Sequence, residues 1–341
     1  MTRQRISVVI PCYNSARFLD EALRSVREQT RPVDEIIVVD DASTDDSAAI
    51  ARAAQVSCIS LDSNVGPGAA RNRGISASTG ELIAFLDADD YWMPTHIEEV
   101  AGLLDRYPES VVAFSRIQRF GDEDVIAPPY VPEGPPSFMF WQLIEENIVA
   151  QSSAVVRREV LRKEAYDESL RYSEDYDLWL RLARRFQFVC TSDVTAGYRV
   201  HPNQASRNVT EMVLGRWRVK HRFLTRAKKI EPPAFVAQLE KQMLRAFSYG
   251  LQTAWDNRNE AHLRAGLAIH KLVPNSARIH RYWVRRYRLL WPFWLALAGA
   301  WGRMLPSVRG YVRPLLTPFF GPVDERSPLP DYLPPPAGEP K

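Results

Sequence analysis

Cysteine is scarce in this chain. Cys12, Cys58 and Cys190 are the only three among 341 residues. They are too few and too scattered for a zinc site or a disulfide framework, and a reducing compartment fits them. Long apolar runs are missing as well. A membrane-spanning helix needs roughly 20 apolar residues, and the nearest candidate, Leu289 to Gly302, is short and interrupted by Pro292. Met1-Thr2-Arg3-Gln4-Arg5 leads straight into a strand, which leaves no room for a signal peptide. The lack of an internal repeat excludes a stacked-repeat architecture.

What is present is ample for a core, since 45% of the residues are hydrophobic. Length argues for a main domain plus an appendage. The net charge of +3 conceals an asymmetry. Residues 1–209 hold 22 Lys/Arg against 32 Asp/Glu, a balance of −10, whereas residues 210–316 hold 20 against 5, a balance of +15. Acids in the front half fit a metal and solvated loops; the basic back half fits an anionic surface. Three segments follow: residues 1–209, a basic helical region 210–320, and a Pro-rich, disordered tail 321–341.

Short β-branched runs alternate with helical periodicity. Ile6–Ile10, Glu35–Val39, Ser57–Leu61 and Leu82–Leu86 read as strands. Between them, helices are expected from Phe18 to about Thr30, around Ala48–Ala54, and from about Ala69 to Ala77. Continuous apolar strands of this kind belong to a parallel α/β sheet covered on both faces, with every strand ending on one edge. Further strands are expected at Val111–Ile117 and Ser153–Val156, with a loop over Ala127–Pro136. A helix is expected at Asp175–Arg185, and Phe235, Leu239, Met243, Phe247 and Leu251 form one helical stripe.

Acids sit at the strand ends. Asp40-Asp41 closes the second strand, and Asp87-Ala88-Asp89-Asp90 closes the fourth. Such acids can hold a divalent cation that leaves positions open for phosphate oxygens, or accept from a ribose hydroxyl or a nucleobase N–H. The structural alternative is that they cap backbone amides. Gly66-Pro67-Gly68 with Arg71 is not a dinucleotide fingerprint, because Arg71 stands where the third glycine would be. Its amides and Arg71 can still meet phosphate; otherwise it is a tight turn with a solvated Arg. Glu174-Asp175 at a helix start is either a capping pair or a general base. Tyr198-Arg199-Val200-His201 offers an Arg and a His, for phosphate or for structure.

Taken in order, Ser7-Val8-Val9-Ile10-Pro11-Cys12-Tyr13-Asn14, the Asp34–Asp45 stretch, Asn64-Val65-Gly66, Ala70-Arg71-Asn72, Phe85–Asp90, Glu174-Asp175 and Tyr198–His201 resemble glycosyltransferase family 2. The resemblance covers roughly residues 5–206. It implies the GT-A fold (a Rossmann-like, mostly parallel sheet with helices on both faces), here with a C-terminal helical extension, and an inverting transfer. It also implies a nucleotide-sugar donor, UDP-sugar favoured, bound with Mn²⁺ or Mg²⁺. By that resemblance Pro11 and Tyr13 line the nucleobase pocket and Asp41 reads the base. Arg71 lies near the nucleotide, Asp87 near the ribose, and Asp89 on the metal. Asp175 is the base, supported by Glu174, and His201 and Arg199 approach the diphosphate, with His201 able to ligate the metal. Ala42 replaces the commoner glycine.

Two other functions stay open at this point: a metal-dependent sugar nucleotidyltransferase and a non-catalytic nucleotide-sugar binder. Arg281, Arg285, Arg286 and Arg288 flank Trp291, Phe293, Trp294 and Trp301, a mix that suits an interfacial helix on anionic lipid or a packed helical appendage. A saccharide or lipid-linked acceptor is expected in either case, for cell-surface polysaccharide or glycolipid synthesis. The expected location is cytoplasmic, with peripheral attachment to the inner face of the membrane as the lipid variant. No nucleic-acid module accompanies the charge.

Overall fold

The computed structural model describes residues 3–121, 135–202, 204–257 and 259–285. Eight strands form one sheet: β1 (Ile6–Cys12), β2 (Glu35–Asp40), β3 (Ser57–Ser60), β4 (Leu82–Phe85), β5 (Tyr91–Trp92), β6 (Ser110–Gly121), β7 (Ala154–Arg157) and β8 (Gln187–Val200), in the order β3-β2-β1-β4-β7-β6-β8-β5. β1 pairs in parallel with β2 and β4, and β2 with β3. β7 runs antiparallel to both β4 and β6, β6 and β8 are parallel, and β5 is antiparallel to β8. All but β5 and β7 therefore point the same way, which makes the sheet mixed but mostly parallel. The carboxyl ends of β1, β2, β4 and β8 share one edge.

Side-chain alternation along each strand sorts the core into two layers. Val8, Ile10 and Ala84 pack under Leu19, Leu23 and Val26 of α1 (Leu19–Arg27). α2 (Ser47–Ala53) and α3 (Pro67–Ala77) follow in the chain, and α4 (His96–Arg106) adds Ile97, Val100 and Leu104 to the same layer as α1. Val9, Ile83 and Phe85 face the opposite way, onto Ile75 of α3, Phe140 and Leu143 of α5 (Phe140–Glu145), and Leu178, Trp179 and Leu182. A short α6 (Arg158–Leu161) leads towards α7 (Glu174–Ala183), which carries those last three residues. Helices thus cover both faces, as expected.

The expected periodicity holds in the helical region too. α8 (Val209–Ile230), α9 (Pro233–Asp256) and α10 (Glu260–Ala268) follow. Leu239, Met243, Phe247 and Leu251 of α9 are buried, with Trp217 and Leu224 of α8 and Leu263 of α10, in the same apolar cluster as Phe85 and Trp179. Among the described residues no helix is long and apolar enough to cross a membrane. Trp283 packs on Trp255 at 5.8 Å while Arg281 and Arg285 stay exposed. The expectations for Arg286, Arg288, Trp291, Phe293, Trp294, Trp301, the run to Gly302, the tail from 321 and most of the Ala127–Pro136 loop lie outside the described residues.

Two strands are absent from the sequence reading. β8 is a 14-residue strand in a stretch where the sequence reading places no element. Its polar stretch Thr191-Ser192-Asp193 and the register shifts in its pairing with β6 hide the alternation that would identify it. β5 has only two residues, too few to carry a periodic signal.

Candidate active site

Three backbone devices place the acids on the sheet edge. Asn14, Ala42 and Ser173 all have positive φ, at 49°, 60° and 62°. Each sits in a turn leading out of β1, out of β2 or into α7. Asparagine tolerates this region, whereas Ala and Ser pay about 1–2 kcal/mol for it. The Asn14 carboxamide oxygen accepts from Thr44 N at 2.8 Å, which ties the first two turns together. Gly66, with φ 96°, starts α3. A Cβ on Gly74 would lie 2.4 Å from Val9 Cγ1, so glycine there lets α3 press on β1 and bring Arg71 to the edge.

Arg71 is the hub. It is 3% exposed, and its two terminal nitrogens donate to Glu174 Oε1 and to Asp87 Oδ1, both at 2.6 Å. Its guanidinium lies 5.6 Å from the centre of the Tyr166 ring. Burial works against its charge, but Asp87 and Glu174 outweigh that and hold it protonated. The guanidinium expected at the nucleotide is therefore occupied by two carboxylates. One joins the end of β4 and the other the start of α7, across 103 residues of sequence.

Asp175 stands beside this bridge. Its Oδ2 accepts from Asn147 Nδ2 at 3.3 Å. Burial raises its carboxyl above the ordinary range, Arg71 opposes the rise and Asp87 adds to it. Burial also pushes Glu174 up to about 7 against the pull of Arg71. The 2.6 Å contact to a charged guanidinium keeps the carboxylate as the form that faces Arg71.

The acid loop after β4 turns back through Asp90 N donating to Asp87 O at 3.0 Å. Asp89 Oδ2 lies 3.0 Å from His201 Nε2, and both side chains are partly exposed. Burial and then Asp87 raise the Asp89 carboxyl, with His201 lowering it. Arg199, at the end of β8, is not free to face a diphosphate. Its Nε donates to Asp89 O at 2.8 Å, its guanidinium meets Glu21, and it lies over the rings of Phe18 and Phe120 at 4.8 and 4.4 Å. Asp41 is likewise engaged: its two oxygens accept from Val65 N at 2.7 Å and Gly66 N at 2.8 Å. Pro11 is partly buried, and Tyr13 is 49% exposed at the rim.

Among the described residues no three His, Cys, Asp or Glu side chains gather to hold an ion. Asp89 and His201 are adjacent, partly exposed oxygen and nitrogen donors. That set suits a cation that takes one or two protein ligands and completes its shell with phosphate oxygens.

Three site residues carry no signal in the sequence reading. Asn147 touches Asp175, and Gln151 Nε2 donates to the Tyr166 hydroxyl at 2.8 Å. Ser152 Oγ accepts from Asp87 N at 3.1 Å and donates to Asp90 Oδ2 at 2.5 Å. They reach the site because β7 is antiparallel to β4, so the turn preceding β7 lies beside the carboxyl end of β4. A sheet topology would have pointed to them; local composition does not.

Comparison with known proteins adds a family. The model for "Glycosyl transferase family 2" matches residues 7–164. Over 207 residues the chain is 29% identical to the Escherichia coli UDP-Glc:alpha-D-GlcNAc-diphosphoundecaprenol beta-1,3-glucosyltransferase WfaP, covering 60% of this chain and 80% of that one. S. aureus TarS 1-349 in complex with UDP-GlcNAc superposes with a TM-score of 0.61 at 19% identity, over 79% of this chain and 82% of that chain. The mannosyltransferase PcManGT from Pyrobaculum calidifontis, in complex with GDP-Man and Mn²⁺, gives 0.56 at 20% identity, over 86% and 84%. These two share the GT-A fold with this chain.

Proposed function

We propose that this chain, whose residues 7–164 match the model for glycosyltransferase family 2, carries out an inverting transfer from a nucleoside diphosphate sugar to an acceptor hydroxyl. The observation that carries this reading is the Arg71 bridge. It joins a strand-end acid to the helix start that bears the base, so donor and acceptor chemistry meet on one sheet edge. Asp175 takes the proton of the acceptor hydroxyl. The oxygen then bonds to the anomeric carbon while the bond to the diphosphate breaks on the opposite face, and its electron pair leaves with the diphosphate. One displacement inverts the centre. Glu174, through Arg71, holds α7 and the β4 loop in register.

A divalent cation, Mn²⁺ or Mg²⁺, would be held by Asp89 and His201, and when bound it stabilises charge on the leaving diphosphate. Asp87 would take the ribose, while Pro11, Tyr13 and the lone pairs left on Asp41 would take the base. Arg71 and Arg199 act from behind, through the acids they contact. A UDP-sugar is favoured because two relatives carry UDP-linked sugars in their names. The lipid diphosphate acceptor of WfaP supports a lipid-linked saccharide, made for cell-surface polysaccharide at the cytoplasmic face of a membrane. The basic region from 210 onwards would meet anionic lipid there.

The test is a panel of nucleotide sugars with product analysis. Nucleoside diphosphate release that stops in EDTA and returns with Mn²⁺ or Mg²⁺ is expected. Release of pyrophosphate would favour a nucleotidyltransferase, and full turnover in chelator would contradict the roles of Asp89 and His201.

A further inference from the structure

We propose that Ser152 and Asp90 are positioning residues that fix the Asp89–His201 pair for a divalent cation, an inference that rests on the metal reading above. Asp90 is 2% exposed, and each carboxylate oxygen has its own partner: Ser152 Oγ at 2.5 Å and Arg199 N at 2.9 Å. Ser152 is 3% exposed. Its hydroxyl also accepts from Asp87 N, and its carbonyl accepts from Trp92 Nε1 at 2.6 Å. One hydroxyl thus grips the first and last acids of the loop.

The same clamp reaches the other member of the pair. Arg199 is held by Asp90 at its amide and holds Asp89 at its carbonyl, and His201 lies two residues further along the chain. Three segments distant in sequence are therefore locked together: the turn before β7, the loop after β4 and the end of β8. The Asp89 side chain meets His201, while the clamp holds the Asp89 main chain through Arg199. Groups that support metal ligands in this way typically contribute 10–100-fold in metal affinity. Asp90 needs no contact with substrate to do so.

The test measures Mn²⁺ binding to the full chain with UDP present, by calorimetry or by the electron paramagnetic resonance of free Mn²⁺, after thermal melting confirms that each variant is folded. Ser152→Ala is expected to weaken Mn²⁺ by about 10-fold or more, and Ser152→Thr, which restores the hydroxyl, to return close to wild type. Ser153→Ala is the comparison. Its hydroxyl is buried in the same turn and donates to Ala150 O at 2.9 Å. That variant should lose stability while keeping its Mn²⁺ affinity. Wild-type affinity in Ser152→Ala, or equal weakening in both alanine variants, would overturn the proposal. A wild type that binds no Mn²⁺ would overturn the metal reading with it, and is distinguishable from a wild type and Ser152→Ala that bind alike.

Discussion

The acidic α/β layer and the basic helices after residue 209 both bury charge, in opposite ways. In the first, Arg71, Asp41, Asp90 and Glu174 are almost wholly buried and each has direct hydrogen-bonding partners. In the second, Lys220 of α8 is 5% exposed and rests on the rings of Trp217 and Tyr176, at 4.5 and 5.9 Å, with no carboxylate in contact among the described residues. Paired buried charge fixes geometry, because breaking a pair strands its partner. Unpaired buried charge fixes nothing and costs stability. The first region is built for position and the second for packing.

The largest effect should come from breaking the bridge. Arg71→Met would leave Asp87 and Glu174 without their shared cation, at a cost of about 3–5 kcal/mol in urea unfolding. Arg71→Lys should not restore stability, since one ammonium cannot span both carboxylates with the planar fork of a guanidinium. A loss within experimental error would mean that the bridge does not organise the edge.

Lys220→Met should do the opposite, raising stability by on the order of 2 kcal/mol while preserving contact with Trp217. Burial, with Arg216 adding to it and Glu146 and Glu145 opposing it, lowers the ammonium to about 7, against about 10.4 in an unfolded chain. The unfolded state therefore binds more protons between those values, and wild-type stability rises with pH across that window. The advantage of Lys220→Met should be greatest below pH 7 and shrink toward pH 10. A pH-independent difference would contradict an unpaired ammonium.

The smallest effect lies at Ala42. Glycine there relieves the left-handed strain at some entropic cost, so Ala42→Gly should stabilise by about 0.5–1 kcal/mol in thermal unfolding. A destabilised variant would show that the turn holds no strain. At φ 60°, Ala42 holds the left-handed conformation that glycine adopts without a Cβ penalty.

The α/β alternation was legible because strands buried on both faces read as apolar runs, unbroken in Leu82–Leu86 and interrupted only by Ser7 in Ile6–Ile10. The acids were legible because they end those runs. Their partners were not. Arg71 reads as a phosphate ligand until the fold brings Glu174 to it from α7. Ser152, Asn147 and Gln151 sit in an unmarked stretch, and only the reversed direction of β7 delivers them to the edge. Arg199 changes meaning for the same reason, since β8 sets its guanidinium against Phe18, Phe120 and Glu21.

The central claim is that Asp175 takes the acceptor proton on an edge whose other acids hold the donor. Asp175→Asn tests it most directly, with donor binding by calorimetry and transfer by product release measured on the same preparation. Transfer is predicted to fall by about 10²–10⁴-fold while donor affinity stays near wild type. Undiminished turnover in Asp175→Asn would contradict the account.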